Sequence, residues 1–99
     1  MNPISKRRVL DFIEKYPAAS VSLLAWYRLV QKCLARDLPS LKETFGTVDY
    51  VRPNYYVFNV GGNKYRVIAE INFDRQKMFI RHICTHEEYD EWTRKNRGK

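Results

Sequence analysis

Cysteine is nearly missing from this chain: two residues, Cys33 and Cys84, among 99. They lie far apart, and neither has a second cysteine near it. That excludes a disulfide framework and a zinc-ribbon spacing, and both are expected to be buried thiols of a reducing compartment. Glycine and proline are scarce, four of each, which excludes collagen-like and low-complexity chains. No apolar run approaches the ~20 residues that span a bilayer. The basic start, Met1 to Arg8, leads into no long apolar segment of the secretory kind, so the expected location is the cytoplasm. Acidic residues are the remaining shortage: 11 against 18 Lys plus Arg, a formal charge of +7 and a pI near 9.6.

A surplus of that sign suits a polyanion. Nucleic acid is the simplest partner, with an acidic protein as the alternative, and the shortage of apolar runs argues against a membrane. The hydrophobic share of 44% supports one core, and the length allows one domain, 1–99. No second catalytic domain fits. A substrate site must therefore lie open on the surface or be shared with a partner.

The pattern along the chain is helices first, then strands. Ser5 reads as an N-cap, and Val9, Phe12, Ile13 and Tyr16 share one helix face before Pro17 stops it. A second helix is expected from Ser20 to Arg36, with Leu23, Trp26, Tyr27, Val30 and Leu34 inward and Arg28, Lys32 and Arg36 outward. The two should form a helical hairpin. Ser40 reads as the cap of a short helix from Leu41 to Phe45, with Gly46 as its stop. Strands are then expected at Thr47–Arg52, Tyr55–Val60, Lys64–Phe73 and Lys77–Cys84. The turns between them are Pro53-Asn54, Gly61-Gly62-Asn63 and Asp74-Arg75-Gln76. Thr85 opens a last helix ending near Lys95, and residues 94–99 read as a flexible basic tail. This segregation predicts an α+β fold: an N-terminal helical hairpin, a small mostly antiparallel sheet and a short C-terminal helix.

Two segments carry chemistry. The first is Gly61-Gly62-Asn63-Lys64-Tyr65-Arg66, which is no P-loop, because no Gly-Lys-Ser/Thr follows and a strand comes next. Beyond the turn, Tyr65, Val67, Ala69 and Ile71 share one face, and Lys64, Arg66, Ile68 and Glu70 the other. Lys64 and Arg66 thus form either a solvated sheet face or a cationic platform for phosphate. The second segment runs from Arg81 to Asp90 and holds both histidines. Thr85 and Glu88 have the spacing of a capping box. His86 then stands in the first helical turn with Tyr89 three residues on. Strand alternation sends Arg81 and His82 to opposite faces. His82 and His86 lack both the helical spacing and the third ligand of a metal site, so no metal or other cofactor is expected.

A histidine, a tyrosine hydroxyl and nearby arginines suffice for RNA cleavage by the ribose 2′-OH, because the nucleophile belongs to the substrate. Histidine moves protons near neutral pH, and arginine contacts phosphate bidentately and stabilises the phosphorane. The bland alternative for His86 is a first-turn polar residue without a role. Among the aromatics, Trp26, Tyr27, Phe58, Phe73 and Phe79 are expected in the core. Tyr55, Tyr56, Tyr65 and Tyr89 could stack on bases if they face outward.

The run Tyr56-Val57-Phe58-Asn59-Val60-Gly61-Gly62-Asn63-Lys64-Tyr65-Arg66, then Phe79-Ile80-Arg81-His82, then Thr85-His86-Glu87-Glu88-Tyr89-Asp90, resembles the HigB family of RelE-like toxins. Leu41-Lys42-Glu43-Thr44-Phe45 and the Lys15-Tyr16-Pro17 helix end also fit. The resemblance implies a RelE-like fold and cleavage of mRNA in the A site of the ribosome. It further implies a HigA-type helix-turn-helix antitoxin and contact with operator DNA only through the complex with it. Arg66 occupies the family's Tyr-Arg position and is expected at the phosphorane. His86 is expected as acid or base, Tyr89 for orientation and Lys64 for charge. Arg81, Arg75, Lys77 and Lys42 are the further cations expected on RNA. A histidine stands where RelE carries basic residues, which leaves the general base open. Two other classes compete with the nuclease: a non-catalytic RNA- or ribosome-binding module, and a regulatory protein matched to an acidic partner.

Overall fold

The computed structural model describes residues 1–97. Its elements are β1 (Asn2–Ile4), α1 (Lys6–Lys15), α2 (Ser20–Lys32), α3 (Leu38–Thr44), β2 (Asp49–Val51), β3 (Tyr55–Val60), β4 (Tyr65–Asn72), β5 (Lys77–Thr85) and α4 (His86–Arg97). A 3₁₀ turn, Pro17–Ala19, joins α1 to α2. The five strands form one sheet in the order β1-β5-β4-β3-β2. β2 through β5 pair antiparallel in sequence, and β1 joins the edge of β5 in parallel. The fold is α+β, as the segregated sequence pattern predicts.

The alternation in β4 divides the molecule. Val67 and Ala69 face α1, α2 and α3, and with Phe58, Val60, Met78 and Ile80 they meet Val9, Phe12, Leu23, Trp26, Val30 and Leu41 in the main core. The opposite residues build a much smaller cluster, Val51, Val57, Ile68 and Cys84, roofed by Tyr55, Tyr89 and Trp92. Each fully buried apolar side chain contributes roughly 1.5–3 kcal/mol. Most of the stability therefore resides on the helix-covered face. The other face, covered only by α4, is left open for surface chemistry.

The β3–β4 turn needs backbone that few residues tolerate. Gly61 (φ 67°), Gly62 (φ 60°) and Asn63 (φ 74°) are all left-handed. At Gly61 an added Cβ would also lie 3.1 Å from the Tyr65 ring. Glycine meets both constraints, and asparagine is among the other residues most at ease at positive φ.

Several sequence expectations need correction. β1 was not anticipated: three residues containing a proline carry no strand signal, and the pairing to β5 is purely tertiary. α2 ends at Lys32, not Arg36, because the chain becomes extended at Cys33 (φ −71°, ψ 133°). Cys33 and Ala35 then enter the core beside Met1, and Leu34, expected inside, is 79% exposed. α3 is capped by Asp37, not Ser40. The Asp37 carboxylate accepts from the Ser40 backbone N–H at 2.9 Å, and the Ser40 hydroxyl accepts from the Asp37 N–H at 3.2 Å. Pro39 sits inside the first turn, where its missing N–H has no intrahelical partner to lose. The Ser40 bonds hold the Asp37 carboxyl below the usual carboxylate range. β2 keeps only Asp49–Val51 of the expected strand.

The last helix starts at His86 and continues through Arg97, so residues 94–97 of the expected tail are helical; Gly98 and Lys99 lie outside the described residues. Phe79 is only half-buried, on the open face beneath Arg81, whose guanidinium carbon is 5.2 Å from the ring centre. Phe73 is half-buried against the main core.

Candidate functional site

The open face holds a shallow depression of ≈ 460 Å³, walled by α3, the loop into β2, the strands β3 and β4, and the first turns of α4. Lys42, Asp49, Asn59, Arg66 and Tyr89 bring its polar atoms together. Each is there for a local reason. Lys42 lies in the last turn of the helix that Asp37 caps. Asn59 and Arg66 are cross-strand partners on either side of the glycine turn. Tyr89 is delivered by α4, whose start is fixed by reciprocal bonds. The Glu88 carboxylate accepts from the Thr85 N–H at 2.8 Å, and the Thr85 hydroxyl oxygen accepts from the Glu88 N–H at 3.3 Å. This is the capping box expected from the sequence.

Arg66 is held in place from two sides. Its Nη1 donates to the carbonyl oxygens of Asn63 (2.9 Å) and Tyr65 (3.2 Å). Its guanidinium carbon lies 5.4 Å from the centre of the Tyr89 ring. Tyr89 in turn stacks on Trp92, 5.9 Å between ring centres at 21°, and Trp92 meets Tyr55 edge-on. A guanidinium clamped at one nitrogen and laid over an aromatic face is pre-oriented, and its remaining N–H groups suit a bidentate oxyanion.

The structure brings Arg66, Tyr89 and Lys42 into one depression. Lys64 and His86 flank it: the His86 backbone N–H donates to the Lys64 carbonyl at 3.0 Å. The His86 imidazole is 54% exposed and does not line the depression, and its Nε2 stands 3.7 Å from an Asp90 carboxylate oxygen. Arg81 lies apart from Arg66, ion-paired with Glu70 at 3.3 Å. Arg75 and Lys77 occupy the β4–β5 turn and the strand start after it, at the far end of the sheet. Six residues of β4 separate Arg66 from that turn, about 20 Å. Asn59 and Asp49 were not singled out from sequence. Counting back across the Gly61–Asn63 hairpin would have found Asn59 opposite Arg66, whereas Asp49 carries no comparable signal.

Of the tyrosines considered for base stacking, Tyr65 and Tyr56 belong to the helix-covered side. Tyr65 meets Phe12 edge-on at 5.7 Å, and Tyr56 meets Phe73 at the same distance. Burial, with Tyr50 nearby, pushes the Tyr56 hydroxyl above its usual range. Cys84 lies directly across from Arg66 on β5. Burial, reinforced by Glu88 and opposed by Arg66, pushes its thiol up to about 11. A thiol so placed stays protonated at neutral pH and is a poor nucleophile. Among the described residues no three His, Cys, Asp or Glu side chains form a metal-binding group. No helix among them is long and apolar enough to cross a membrane.

Fold and site together define a small basic α+β protein with an arginine-centred cationic depression on the thinly covered face of its sheet. The chain belongs to the HigB family: the model of that family, described as the RelE-like toxic component of a toxin–antitoxin system, matches residues 19–92. The mRNA interferase toxin HigB of Escherichia coli is 39% identical over 101 residues, covering 100% of this chain and 97% of its own. The mRNA interferase HigB of Shigella flexneri matches at the same identity and coverage. A further Escherichia coli mRNA interferase HigB is 36% identical over 96 residues, covering 95% of this chain and 93% of its own.

Proposed function

We propose that this protein is an mRNA interferase that cuts message in the A site of the ribosome, in the cytoplasm, under restraint by a helix-turn-helix antitoxin of the HigA type. The observation that carries the reading is the geometry of Arg66: a guanidinium fixed over Tyr89 in an open depression shared with Lys42. Full-length relatives named mRNA interferases support it. So does the +7 charge, which suits docking on ribosomal RNA.

In the proposed reaction the ribose 2′-oxygen attacks the adjacent phosphorus and the P–O5′ bond breaks. The products are a 2′,3′-cyclic phosphate and a 5′-hydroxyl. A base takes the 2′-OH proton and an acid returns one to the leaving oxygen. Arg66 stabilises the equatorial charge of the phosphorane, and Lys42 and Lys64 add to the field. Tyr89 orients the nucleotide. His86, on the rim beside Lys64 with Asp90 near its ring, is the proton-transfer group, and closure of the RNA against α4 brings it into reach. The nucleophile comes from the substrate, so the route asks for no metal.

Induction in growing cells tests this. Wild type should arrest growth and leave codon-phased cuts in message, and Arg66→Ala and His86→Ala should lose most of both. If both variants arrest growth as fast as wild type, the site is wrong. If wild type sediments with ribosomes yet cuts nothing, the chain is instead a non-catalytic ribosome-binding module.

A further inference from the structure

Arg81, a cation expected on RNA, is absent from the Arg66 depression, and a β-bulge explains where it went. Ile68 pairs with His82 while the next residue, Ala69, pairs with Ile80, so Arg81 is an extra residue in β5. Bulges break strict alternation and re-aim side chains. Arg81 and His82, expected on opposite faces, both line one groove of ≈ 330 Å³ on the far side of α4 from Arg66. Its other wall is α1, which contributes Arg8 and Lys15, with the half-buried Tyr16 ring at the helix C-cap, and the first turn of α4 closes one end with Glu88.

The charges of this groove are unevenly committed. Its two acids are engaged elsewhere: Asp11 with Arg7 at 3.5 Å, outside the groove, and Glu88 with the Thr85 N–H. Arg8 and Lys15 are exposed and, among the described residues, have no acidic group within ion-pair distance. Lys15 lies over the Tyr16 ring, 5.5 Å from its centre. Exposed cations beside an aromatic face, in an open groove, are the elements of a single-stranded nucleic-acid track.

Resting on the RNA-cleaving reading above, we propose that this groove is a second RNA site. It takes the phosphodiester backbone of single-stranded RNA on Arg8 and Lys15 and offers Tyr16 to a base, with Arg81, ion-paired with Glu70 at 3.3 Å, at its edge. It is separated from the Arg66 depression by the first turn of α4. His82 pairs with Ile68, two residues along β4 from Arg66, so His82 and Arg66 are diagonal neighbours on adjacent strands, about 8 Å apart. A strand that meets both crosses the first turn of α4, where Glu88 lines the groove and Tyr89 the depression.

The test is anisotropy of a labelled single-stranded RNA oligonucleotide with purified full-chain protein over a salt series. Arg8→Glu combined with Lys15→Glu should weaken binding at least about tenfold and lower the log–log salt slope by about 1.4, two contacts at about 0.7 each. Arg28→Glu combined with Lys32→Glu on α2 changes net charge equally and should cost far less. Equal losses from the two pairs, or wild-type affinity in the first, overturn the proposal. A duplex that competes as well as the single strand overturns its assignment to single strands. Sedimentation with ribosomes free of message distinguishes the sources. Loss of binding there by the α1 pair assigns the groove to ribosomal RNA. Retained binding with weakened cutting assigns it to message. Because free-oligonucleotide binding needs no cleavage, its failure is distinct from failure of the nuclease reading, which wild-type message cutting decides.

Discussion

The two faces of β4 differ in everything but their backbone. On one, Tyr65, Val67, Ala69 and Ile71 sink into a core shared with three helices. On the other, Arg66 and Glu70 stand beside the single buried Ile68, under one helix. The same strand therefore spends alternate residues on stability and on surface chemistry, and the hairpin turn keeps the two sets in register. The division should be visible in variants that damage one face and spare the other.

Phe58→Ala should have the largest effect. Phe58 is 1% exposed and meets Trp26 and Phe45 edge-on, at 5.4 and 5.1 Å between ring centres. Removing the ring leaves a cavity and costs about 3–5 kcal/mol. At roughly 4–8 °C per kcal/mol for a domain of this size, Tm should fall by at least about 12 °C. Cleavage per folded molecule, measured well below Tm, should stay near wild type. Arg66→Ala should do the reverse: about a hundredfold or greater loss of cleavage with Tm within about 4 °C of wild type. If Arg66→Ala melts like Phe58→Ala, the faces are not separable and the comparison fails.

Thr85→Ala sits at the seam and should affect both properties moderately. It deletes the hydroxyl that accepts from the Glu88 N–H at the start of α4. Loss of such a cap costs about 1 kcal/mol, or roughly 4–8 °C in Tm. α4 carries Tyr89 and His86, so cleavage should fall as well, by less than in Arg66→Ala. An unchanged Tm would show that packing of Tyr89 and Trp92, not the cap, sets where α4 begins.

How much of this was legible in the sequence follows the same division. β3 was read at its true bounds, and the faces of β4 were assigned correctly, because alternation and the glycine turn are local signals. The capping box at Thr85 was legible for the same reason. What escaped was tertiary. β1 exists only because β5 offers an edge, and α2 stops early where the extended chain turns Cys33 and Ala35, not Leu34, into the core. The bulge at Arg81 shifts register with no glycine to announce it. For the site, sequence proposed Arg66, Tyr89 and Lys42, which the fold gathers. It also proposed Arg75 and Lys77, which a sheet length separates from them. Charge alone gives no distance.

The smallest effect sharpens the comparison most, because it lies on the groove beyond α4. His82 is faced by Arg8, Asp11 and Lys15 from α1, by its neighbour Arg81, and by Glu88 from α4. Partial burial first, then Arg8 and Arg81, hold its imidazole below the ordinary histidine value. The unfolded chain, with a value near 6.5, therefore takes up this proton before the folded one does. The stabilising contribution is complete above that pH and is lost as pH falls through the depressed folded value. Tm of wild type should decline over that acidic interval more steeply than Tm of His82→Gln, and the curves should run parallel above pH 7. A phosphate in the groove reverses the local balance, since it favours the imidazolium that Arg8 and Arg81 oppose. RNA affinity should then rise on acidification more in wild type than in His82→Gln, the difference excluding any share from His86. Parallel affinity curves would mean that RNA passes Arg66 without entering the groove.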